Sequence, residues 1–453
     1  MSNCFGTDQS PDAFGAWAKK RDVFLHPDVA FLVPTKTMGF GVFARKPLKA
    51  GTVVVSCPFV TCISPYEKTS LDSPCLKALT ELQIKDNVLY VVLRLMAEAV
   101  RHSSPWMPWL KACPRMSDHF FDESTAKVVF GLSSSGASAT PTTSVSLSWT
   151  GPSQQLREIK VAQRWEAAQE VMRRFPEYWP EEQATFSLFC ECLAQVLSRN
   201  FHREEIEGRE GPYLLPGLDI INHSSAANGK FEIRGGGRKH ALTFCVVAAR
   251  ELRRGEQVFC TYGRIGASRF AIEFQFVTKT ILEEDMLRFS LDVIAEMTVN
   301  LIAAEESSSS TAKDKGMIQE RLEWLQRLGF LFDEGFYVSR LPPPSGGEVP
   351  AATAKEVETL FNVFYLMTVE PVKFENLIHT INREWCVERT PKVLALVSRV
   401  LAMRAEAVRL QMAVSEANLA ETVYDARRKL LEMTLASELE MIHLLQQHIG
   451  ESH

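Results

Sequence analysis

Apolar positions follow different patterns along the chain, and each pattern predicts a different kind of element. Short apolar runs bounded by turn residues, typical of strands, occupy 35–65 and 214–262. Apolar residues at steps of three and four, typical of helices, occupy 75–102, 154–175 and 184–201 and most of the chain after about residue 280. The pattern therefore predicts a β-rich part, a helical insertion, more strands and a helical tail.

Two predicted helices have clear apolar stripes, and polar stretches separate the regular segments. The stripes consist of Phe186, Phe189, Cys190, Leu193, Val196 and Leu197 in one helix and of Leu431, Leu435, Leu439, Ile442, Leu445 and Ile449 in the last. Residues 131–153 are rich in Ser, Thr and Gly and predict a mobile loop. Residues 306–316 and 341–355 predict interruptions between helices.

The stretch "LPGLDIINHSS" (215–225) combines a strand-like apolar run with polar groups. The run from Leu214 to Ile221 is interrupted by Asp219 and ends in Asn222 and His223. Burying such side chains without partners costs several kcal/mol. The pattern predicts a buried strand whose polar residues have partners, and it raises the question of what those partners are.

Composition and charge narrow the class of protein. The chain has 453 residues, 46% hydrophobic and 23% charged, with a formal net charge of −5. This length predicts two to four structural units. A slightly acidic chain without a large basic region argues against broad nucleic-acid or membrane binding.

Compartment and redox state follow from the apolar segments and the cysteines. The most apolar stretch, "VLYVVLRLMAEAV" (88–100), carries Arg94 and Glu98 and predicts a buried helix, not a membrane span. The first residues contain no apolar stretch of the signal-peptide kind. The ten cysteines lack metal or disulfide spacing. We therefore expect a reduced protein in the cytoplasm, the nucleus or both.

Two candidate ligand-binding features have simple structural alternatives. Gly39-Phe40-Gly41 is a glycine turn between strands or a place where backbone approaches a ligand, and no third glycine makes it a dinucleotide fingerprint. Arg199, near the end of a predicted helix, complements the helix dipole or offers a guanidinium fork to a carboxylate.

The polar residues of 215–225 and a later tyrosine also have structural alternatives to a functional role. Asp219, Asn222 and His223 include too few ligands for a convincing metal site, and a buried structural network is the main alternative. In "RRGEQVFCTYG" (253–263), period-two alternation places Val258, Cys260 and Tyr262 on one face. Tyr262 alone is typical of a core ring with its hydroxyl at the rim.

The order of these motifs resembles the SET domain of protein methyltransferases. More narrowly it resembles the group of the Rubisco large-subunit methyltransferase, in which a helical insertion interrupts the SET core and a helical substrate-binding domain follows. The segments that carry the resemblance are "FGAWAKK…HPDVAF", "GFGVFARKPLKAG", "SPWMPWLKACP", "LSRNF", "LLPGLDIINH" and "LRRGEQVFCTYG". They cover most of the chain, whereas the C-terminal part matches only in length, in helicity and loosely around "DARRKLLEMTLASELEMI".

The resemblance implies an α+β fold and a domain plan. It predicts a β-rich, knot-like SET core interrupted by a helical insertion (iSET), followed by an all-α C-terminal domain. The expected boundaries are residues 1–102 for the first part of the SET domain, 103–198 for the insertion with its 131–153 loop, 199–280 for the second part and 281–453 for the helical domain.

The resemblance also implies a cofactor and its contacts. Asn222 and His223 would contact S-adenosylmethionine (SAM), with Asp219 in the same segment, and Arg199 would lie near the cofactor carboxylate. Gly39, Phe40 and Gly41 would lie along its methionine part. Phe276 would stack on the adenine, and Tyr262 would act at the methyl group as the catalytic residue.

Two departures from the family pattern concern metal and the adenine pocket. Many SET enzymes carry a zinc-binding cysteine cluster after the tyrosine, but no cysteine pair follows Tyr262, so no metal is expected. The group also usually has Gly-Phe about thirteen residues after the tyrosine, whereas this chain has Gln275 before Phe276.

The function that the resemblance implies is SAM-dependent N-methylation of a lysine in a non-histone protein. The expected partner is a protein that presents a lysine, or a histidine, and the protein is expected to be a monomer without specific nucleic-acid or membrane binding. Two alternatives stay open: a SET-derived scaffold with weak or no turnover, which Gln275 favours, and a protein-histidine methyltransferase.

Overall fold

The structure, a computed structural model, divides by its contacts into two compact units. It describes residues 4–66, 79, 81–116, 119–121, 145–202, 206, 209, 211–235, 242–305, 312–343, 347–382, 384–419 and 425–451. The first unit comprises Met1–His119 and Lys160–Arg264, and the second comprises Phe120–Ile159 and Ile265–His453. The boundaries predicted at 102, 198 and 280 describe family modules and stay predictions.

The first unit holds the β-rich part of the chain. Its helices are α1 (Pro11–Lys20), α2 (Asn87–Val100), α3 (Met107–Ala112), α5 (Val161–Arg174) and α6 (Phe186–Arg199), and its short 3-10 helices are Phe59–Thr61 and Leu218–Ile220. Its strands are β1 (Phe24–Leu25), β2 (Val29–Pro34), β3 (Phe40–Ala44), β4 (Val53–Pro58), β5 (Asn200–Phe201), β6 (Tyr213–Leu214), β7 (Asn222–His223), β8 (Gly229–Arg234), β9 (Thr243–Ala248) and β10 (Gln257–Cys260).

The second unit holds the helical tail together with one helix from before α5. Its helices are α4 (Gly151–Ile159), α7 (Ala267–Arg269), α8 (Lys279–Glu283), α9 (Leu291–Glu305), α10 (Ala312–Arg327), α11 (Ala351–Thr368), α12 (Pro371–Leu377), α13 (Pro391–Leu419) and α14 (Asp425–Glu451). It also contains the 3-10 helix Leu147–Trp149, a π-helix at Phe270–Phe274 and the antiparallel strands β11 (Met286–Phe289) and β12 (Phe336–Ser339). The predicted α+β fold, with a strand-rich core and helices after it, is confirmed.

Three small sheets form the core of the first unit. Two have four strands, in the orders β1-β4-β9-β8 and β2-β3-β10-β7, and β5 pairs with β6. Among the described strands of this unit, all pairs are antiparallel except β7 with β10, which run parallel. The sheet β2-β3-β10-β7 therefore brings together strands that are far apart in the sequence.

The helix predicted at 184–201 is confirmed as α6. Thr185 caps its N-terminus, because its Oγ1 accepts the Leu188 N–H at 3.2 Å. Every residue of its predicted stripe except Phe186 is buried, and Phe186 is half-buried. Burial of this face holds Arg199, the last residue of α6, against the core of the first unit.

The strand predicted from Leu214 to Ile221 is wrong for most of its length. Only Leu214 belongs to a strand, and the chain then turns at Gly217, with φ of 88°, into the 3-10 helix Leu218–Ile220. The Asp219 carboxylate accepts the Gly217 N–H at 2.9 Å. This local hydrogen bond competes with a sheet ladder, because short polar side chains satisfy nearby backbone groups directly.

Other predicted elements differ in extent. In the region 75–102 the regular helix is α2, and residues 71–78 and 80 lie outside the described part. The predicted helix 154–175 is two helices, α4 and α5, separated at Lys160, whose φ is 51°. Left-handed backbone at a lysine ends one helix and starts the next.

The predicted loops were partly wrong. Residues 131–144 lie outside the described residues, but 147–149 form a 3-10 helix and α4 begins at Gly151. Residues 306–311 and 344–346 also lie outside, whereas 312–316 belong to α10 and 351–355 to α11. Lysines and alanines in these parts favour helix more than the polar composition suggested.

The last helix has the predicted stripe. Its members are buried in α14 except Leu439, which is half-buried.

None of the helices in the described part is long and apolar enough to cross a membrane.

Candidate functional site

The parallel pair β7 and β10 brings three predicted site residues together. Asn222 lies beside Phe259 and His223 beside Cys260 in the register of this pair. Tyr262, two residues beyond β10, donates its backbone N–H to His223 Nδ1 at 3.1 Å. The His223 and Tyr262 rings lie 5.2 Å apart between centroids. The predicted alternation is also found, since Val258 and Cys260 are both buried.

The Tyr262 hydroxyl is held in one orientation as a neutral donor. It donates to the Ile221 carbonyl at 3.0 Å. Burial raises the pKa of Tyr262, and the positive charge of Arg199 opposes the rise only in part. The hydroxyl therefore keeps its proton at neutral pH, with oxygen lone pairs that accept hydrogen bonds.

The glycine-flanked Phe40 is anchored to the same segment. Asn222 Nδ2 donates to the Phe40 carbonyl at 3.0 Å, which fixes the start of β3 against β7. Gly39 has φ of 63°, and no heavy atom of the described residues lies within 4 Å of the place where its Cβ would be. The backbone at Gly39 therefore borders open space, which a bound molecule could approach closely.

Gly41, unlike Gly39, has a side chain packed over it. A Cβ at this position would lie 2.6 Å from Gln257 Nε2, so the side chain of Gln257 covers the glycine. Gln257 Nε2 is buried and has no hydrogen-bond partner among the residues that the structure describes. Sequence reasoning gave Gln257 no role, because nothing in "RRGEQVFCTYG" indicates that its side chain extends along the sheet to Gly41.

Arg199 and Asp219 form a largely buried pair, with 11% and 0% of their side chains exposed. Arg199 Nη1 donates to the Asp219 backbone carbonyl at 2.9 Å and lies 3.5 Å from its Oδ2, and Arg199 Nε donates to Gln195 Oε1 at 2.9 Å. Trp109 Nε1 donates to Asp219 Oδ2 at 3.1 Å, and Gly217 N donates to Oδ1. Burial raises the pKa of Asp219, and Arg199 and these donors oppose the rise.

This network indicates what Asp219 does in the fold. Both of its carboxylate oxygens accept hydrogen bonds from the protein itself, so its side chain orients Arg199 and Gly217. Its direct contact with a cofactor stays a prediction. Trp109 is the residue that the sequence missed here, because its link to Asp219 spans 110 positions.

Phe276 belongs to the second unit, unlike the other predicted site residues. Its ring lies 5.4 Å from Phe270 and 6.4 Å from Phe274 between centroids. Gln275, before it, has φ of 61° and ψ of 29°, the left-handed region. Glycine adopts this conformation without strain, whereas a residue with a Cβ is strained in it. The glutamine that stands in place of the family's glycine therefore lowers the stability of the folded chain.

Gln275→Gly is therefore expected to stabilise the protein by about 0.5–1 kcal/mol, since relief of left-handed strain exceeds the entropy of a freer unfolded chain. The change also removes a buried amide nitrogen that has no partner among the described residues. The midpoint of urea unfolding measures the effect. Gln319→Gly inside α10 is the matched control and should destabilise by about 1 kcal/mol. A lower stability of the Gln275→Gly variant would contradict the backbone strain argued for Gln275.

Within the described ranges, no three His, Cys, Asp or Glu side chains are placed to hold a metal ion together.

A family model and several relatives match this chain. The model described as "SET domain" matches residues 39–263. The N-lysine methyltransferase SETD6 of Bos taurus is 21% identical over 381 residues, covering 81% of this chain and 76% of the relative. That of Rattus norvegicus is 20% identical over 373 residues, covering 79% and 70%.

Solved structures share the fold. The SET domain of LSMT bound to lysine and AdoHcy has a TM-score of 0.60 at 17% identity, covering 98% of this chain and 91% of its own. Rubisco LSMT bound to AdoMet has a TM-score of 0.60 at 16% identity, covering 100% and 92%. At this identity the likeness concerns the fold.

Proposed function

The chain is a SET-domain protein of the Rubisco large-subunit methyltransferase-like group, and on that premise we propose that it is a SAM-dependent protein-lysine N-methyltransferase acting on a non-histone protein. The observation that carries the proposal is the Tyr262 hydroxyl, which the parallel β7–β10 pair places on the Ile221 carbonyl at 3.0 Å. We also propose that the protein is a monomer and is located in the cytoplasm, the nucleus or both. A lysine side chain is the group that the substrate presents.

The first unit offers a place that fits SAM. The backbone at Gly39 borders open space, and Asn222 ties the Phe40 carbonyl to β7, so the segment 39–41 is fixed and approachable. Arg199, held by Asp219 and Gln195, offers a guanidinium for the cofactor carboxylate. Asn222 and His223 are the remaining contacts from this unit. The stacking of Phe276 on adenine stays a prediction of the family resemblance.

When bound, the cofactor supplies a methyl group on a positively charged sulfur for an in-line displacement. The protein's contribution is to orient the nucleophile and to exclude water. Because the Tyr262 hydroxyl donates to Ile221, its lone pairs accept from the incoming amine and from polarised C–H groups.

The amine must lose a proton before it attacks. A free lysine has a pKa of about 10.4, and desolvation lowers this value because it disfavours the charged form. Tyr262 does not take this proton, since its own pKa is raised and the group stays neutral. We therefore propose that the proton leaves to water.

The function is tested by incubating the purified chain with SAM carrying a labelled methyl group and whole-cell lysate. Mass spectrometry then identifies the labelled protein and residue. Labelled lysine in a non-histone protein supports the proposal. Labelled histidine would replace lysine as the target. If SAM binds but no protein is labelled above a heat-inactivated control, the scaffold alternative is correct.

Asn222→Ala is expected to weaken SAM binding by about 1–3 kcal/mol, because it leaves the Phe40 carbonyl without its donor. Arg199→Lys should cost less, since lysine keeps the charge and loses only the fork. Calorimetric titration of each variant with SAM measures both.

Asn228→Ala is the matched control for this change. Asn228 is buried and also binds β10, through the Gln257 carbonyl and the Phe259 N–H, and its hydrogen bonds within the described residues do not involve Phe40. It should lower stability with a smaller loss of SAM affinity. Negligible effects of both Asn222→Ala and Arg199→Lys on affinity would mean that these residues form only a structural network.

A further inference from the structure

A pocket of the second unit contains a fully buried arginine in its wall. Arg404 of α13 has 0% of its side chain exposed, and it pairs with Glu438 of α14, 5% exposed. The Arg404 guanidinium lies 5.4 Å from the centre of the Phe289 ring. Gly151, Ser268, Met286 and Arg288 are among the other lining residues. This pocket lies within one unit and contains none of the residues proposed to bind SAM.

Arg404 uses only part of its hydrogen-bonding capacity. Its Nε donates to Glu438 Oε1 at 2.6 Å, and Glu438 Oε2 accepts the Gly151 N–H at 2.8 Å. Neither Nη1 nor Nη2 of Arg404 has a partner among the described residues. Buried donors of a charged group almost always have a partner, because leaving them unpaired is costly.

The other acid of the pocket wall is already engaged. Asp285 Oδ1 accepts the N–H groups of Ala267 and Met286 at 2.7 and 2.8 Å, and its Oδ2 accepts the Ser437 hydroxyl at 2.6 Å. Arg288, at 11% exposure, pairs with Glu158. The two carboxylates of the wall are therefore engaged, and neither accepts a hydrogen bond from Nη1 or Nη2 of Arg404.

We propose that this pocket binds a carboxylate group, held end-on by Nη1 and Nη2 of Arg404. The two free amino groups at the end of a guanidinium match the two oxygens of a carboxylate in a planar, bidentate pair. A singly charged group fits better than a phosphate, because the Glu438 and Asp285 carboxylates in the same wall repel a second negative charge. The ligand is a small free carboxylic acid, because a guanidinium with 0% of its side chain exposed is out of reach of a side chain on another protein.

Acetate is the probe for this site, with acetamide as its neutral isostere and sodium chloride at equal ionic strength. Acetate should raise the Tm of the full chain saturably, by about 1–3 °C at ten times its Kd, and acetamide should not. The Met286 methyl signal, labelled with carbon-13 and assigned with Met286→Leu, should shift along the same binding curve. No acetate-specific change at Met286 would overturn the proposal, and water would then be the partner of Arg404.

The double variant Arg404→Met/Glu438→Gln removes the guanidinium and keeps an oxygen for the Gly151 N–H. It should abolish the acetate response. The matched control is Arg409→Met/Glu406→Gln, which changes the same charges at an exposed pair of α13, 51% and 55% exposed. The control should respond like wild type. An undiminished response in the first variant would contradict the assignment to Arg404. If that variant does not fold, the acetate-dependent shift of the Met286 signal in the wild-type chain tests the proposal.

Blocked glutamate, with its N-terminus acetylated and its C-terminus amidated, tests the size limit of the site. Because Arg404 has 0% of its side chain exposed, acetate should bind and the blocked residue should be excluded. Binding of the blocked residue as tight as that of acetate would contradict a site enclosed in this pocket.

Discussion

Tyr262→Phe is expected to lower methyl transfer by about 10²-fold or more, the scale found when an oriented polar group is removed from a site. The ring stays, so the fold and the contact with His223 should persist. The hydroxyl on Ile221 is lost, and with it an interaction made mainly in the transition state. SAM affinity should remain within a small factor of wild type. Turnover under saturating SAM and calorimetric titration, measured on one preparation, separate the two quantities.

Tyr213→Phe is the matched control for this change. Tyr213 is fully buried in the same unit, and its hydroxyl also donates to a backbone carbonyl, that of Arg209. Its loss should lower stability modestly without changing the rate per folded molecule. If Tyr262→Phe behaves in the same way and methylates at the wild-type rate, Tyr262 is a core residue and its catalytic assignment is wrong.

Asp219→Ala is expected to destabilise the first unit by about 3–5 kcal/mol, because removing one partner of a buried pair leaves a charge uncompensated. Arg199, 11% exposed, would lose its carboxylate, and Trp109 Nε1 and Gly217 N would lose their acceptors. Urea unfolding followed by tryptophan fluorescence measures the loss, and Trp109 reports directly on the position.

The same substitution at an exposed pair provides the comparison. Asp28→Ala removes a partner of Lys46 at the surface and should cost far less stability, because water screens the charges of an exposed pair. Adding Arg199→Met to Asp219→Ala removes the stranded cation and should recover part of the stability. It should not recover SAM affinity, since the proposed carboxylate contact is gone. A cost at Asp219 as small as that at Asp28 would show that the pair is not buried in solution.

Local features of the sequence predicted local features of the fold well. The alternation of Val258 and Cys260 and the stripe of α6 follow from the side-chain periods of strand and helix. These periods are visible within a short segment of the sequence. The 3-10 helix at Leu218–Ile220 was missed because its apolar residues are also those of a strand, and Asp219 decides between the two through one short hydrogen bond.

The site itself was predictable only in part. The order of motifs identified Asn222, His223 and Tyr262 as candidate site residues, and the structure places them together. Contacts such as Trp109 with Asp219, or Gln257 over Gly41, depend on side-chain directions and on sheet register between distant segments. No periodicity within a single segment carries that information.

The sheet order β2-β3-β10-β7 has a consequence for synthesis on the ribosome. About 210 residues separate β3 from its partner β10, so at roughly 5–20 residues per second the partner emerges about 10–40 s later. During that interval β2 and β3 form a hairpin whose outer edge has unpaired N–H and C=O groups, a template for association with other chains. We therefore expect the nascent chain to depend on chaperones until residue 260 has left the exit tunnel.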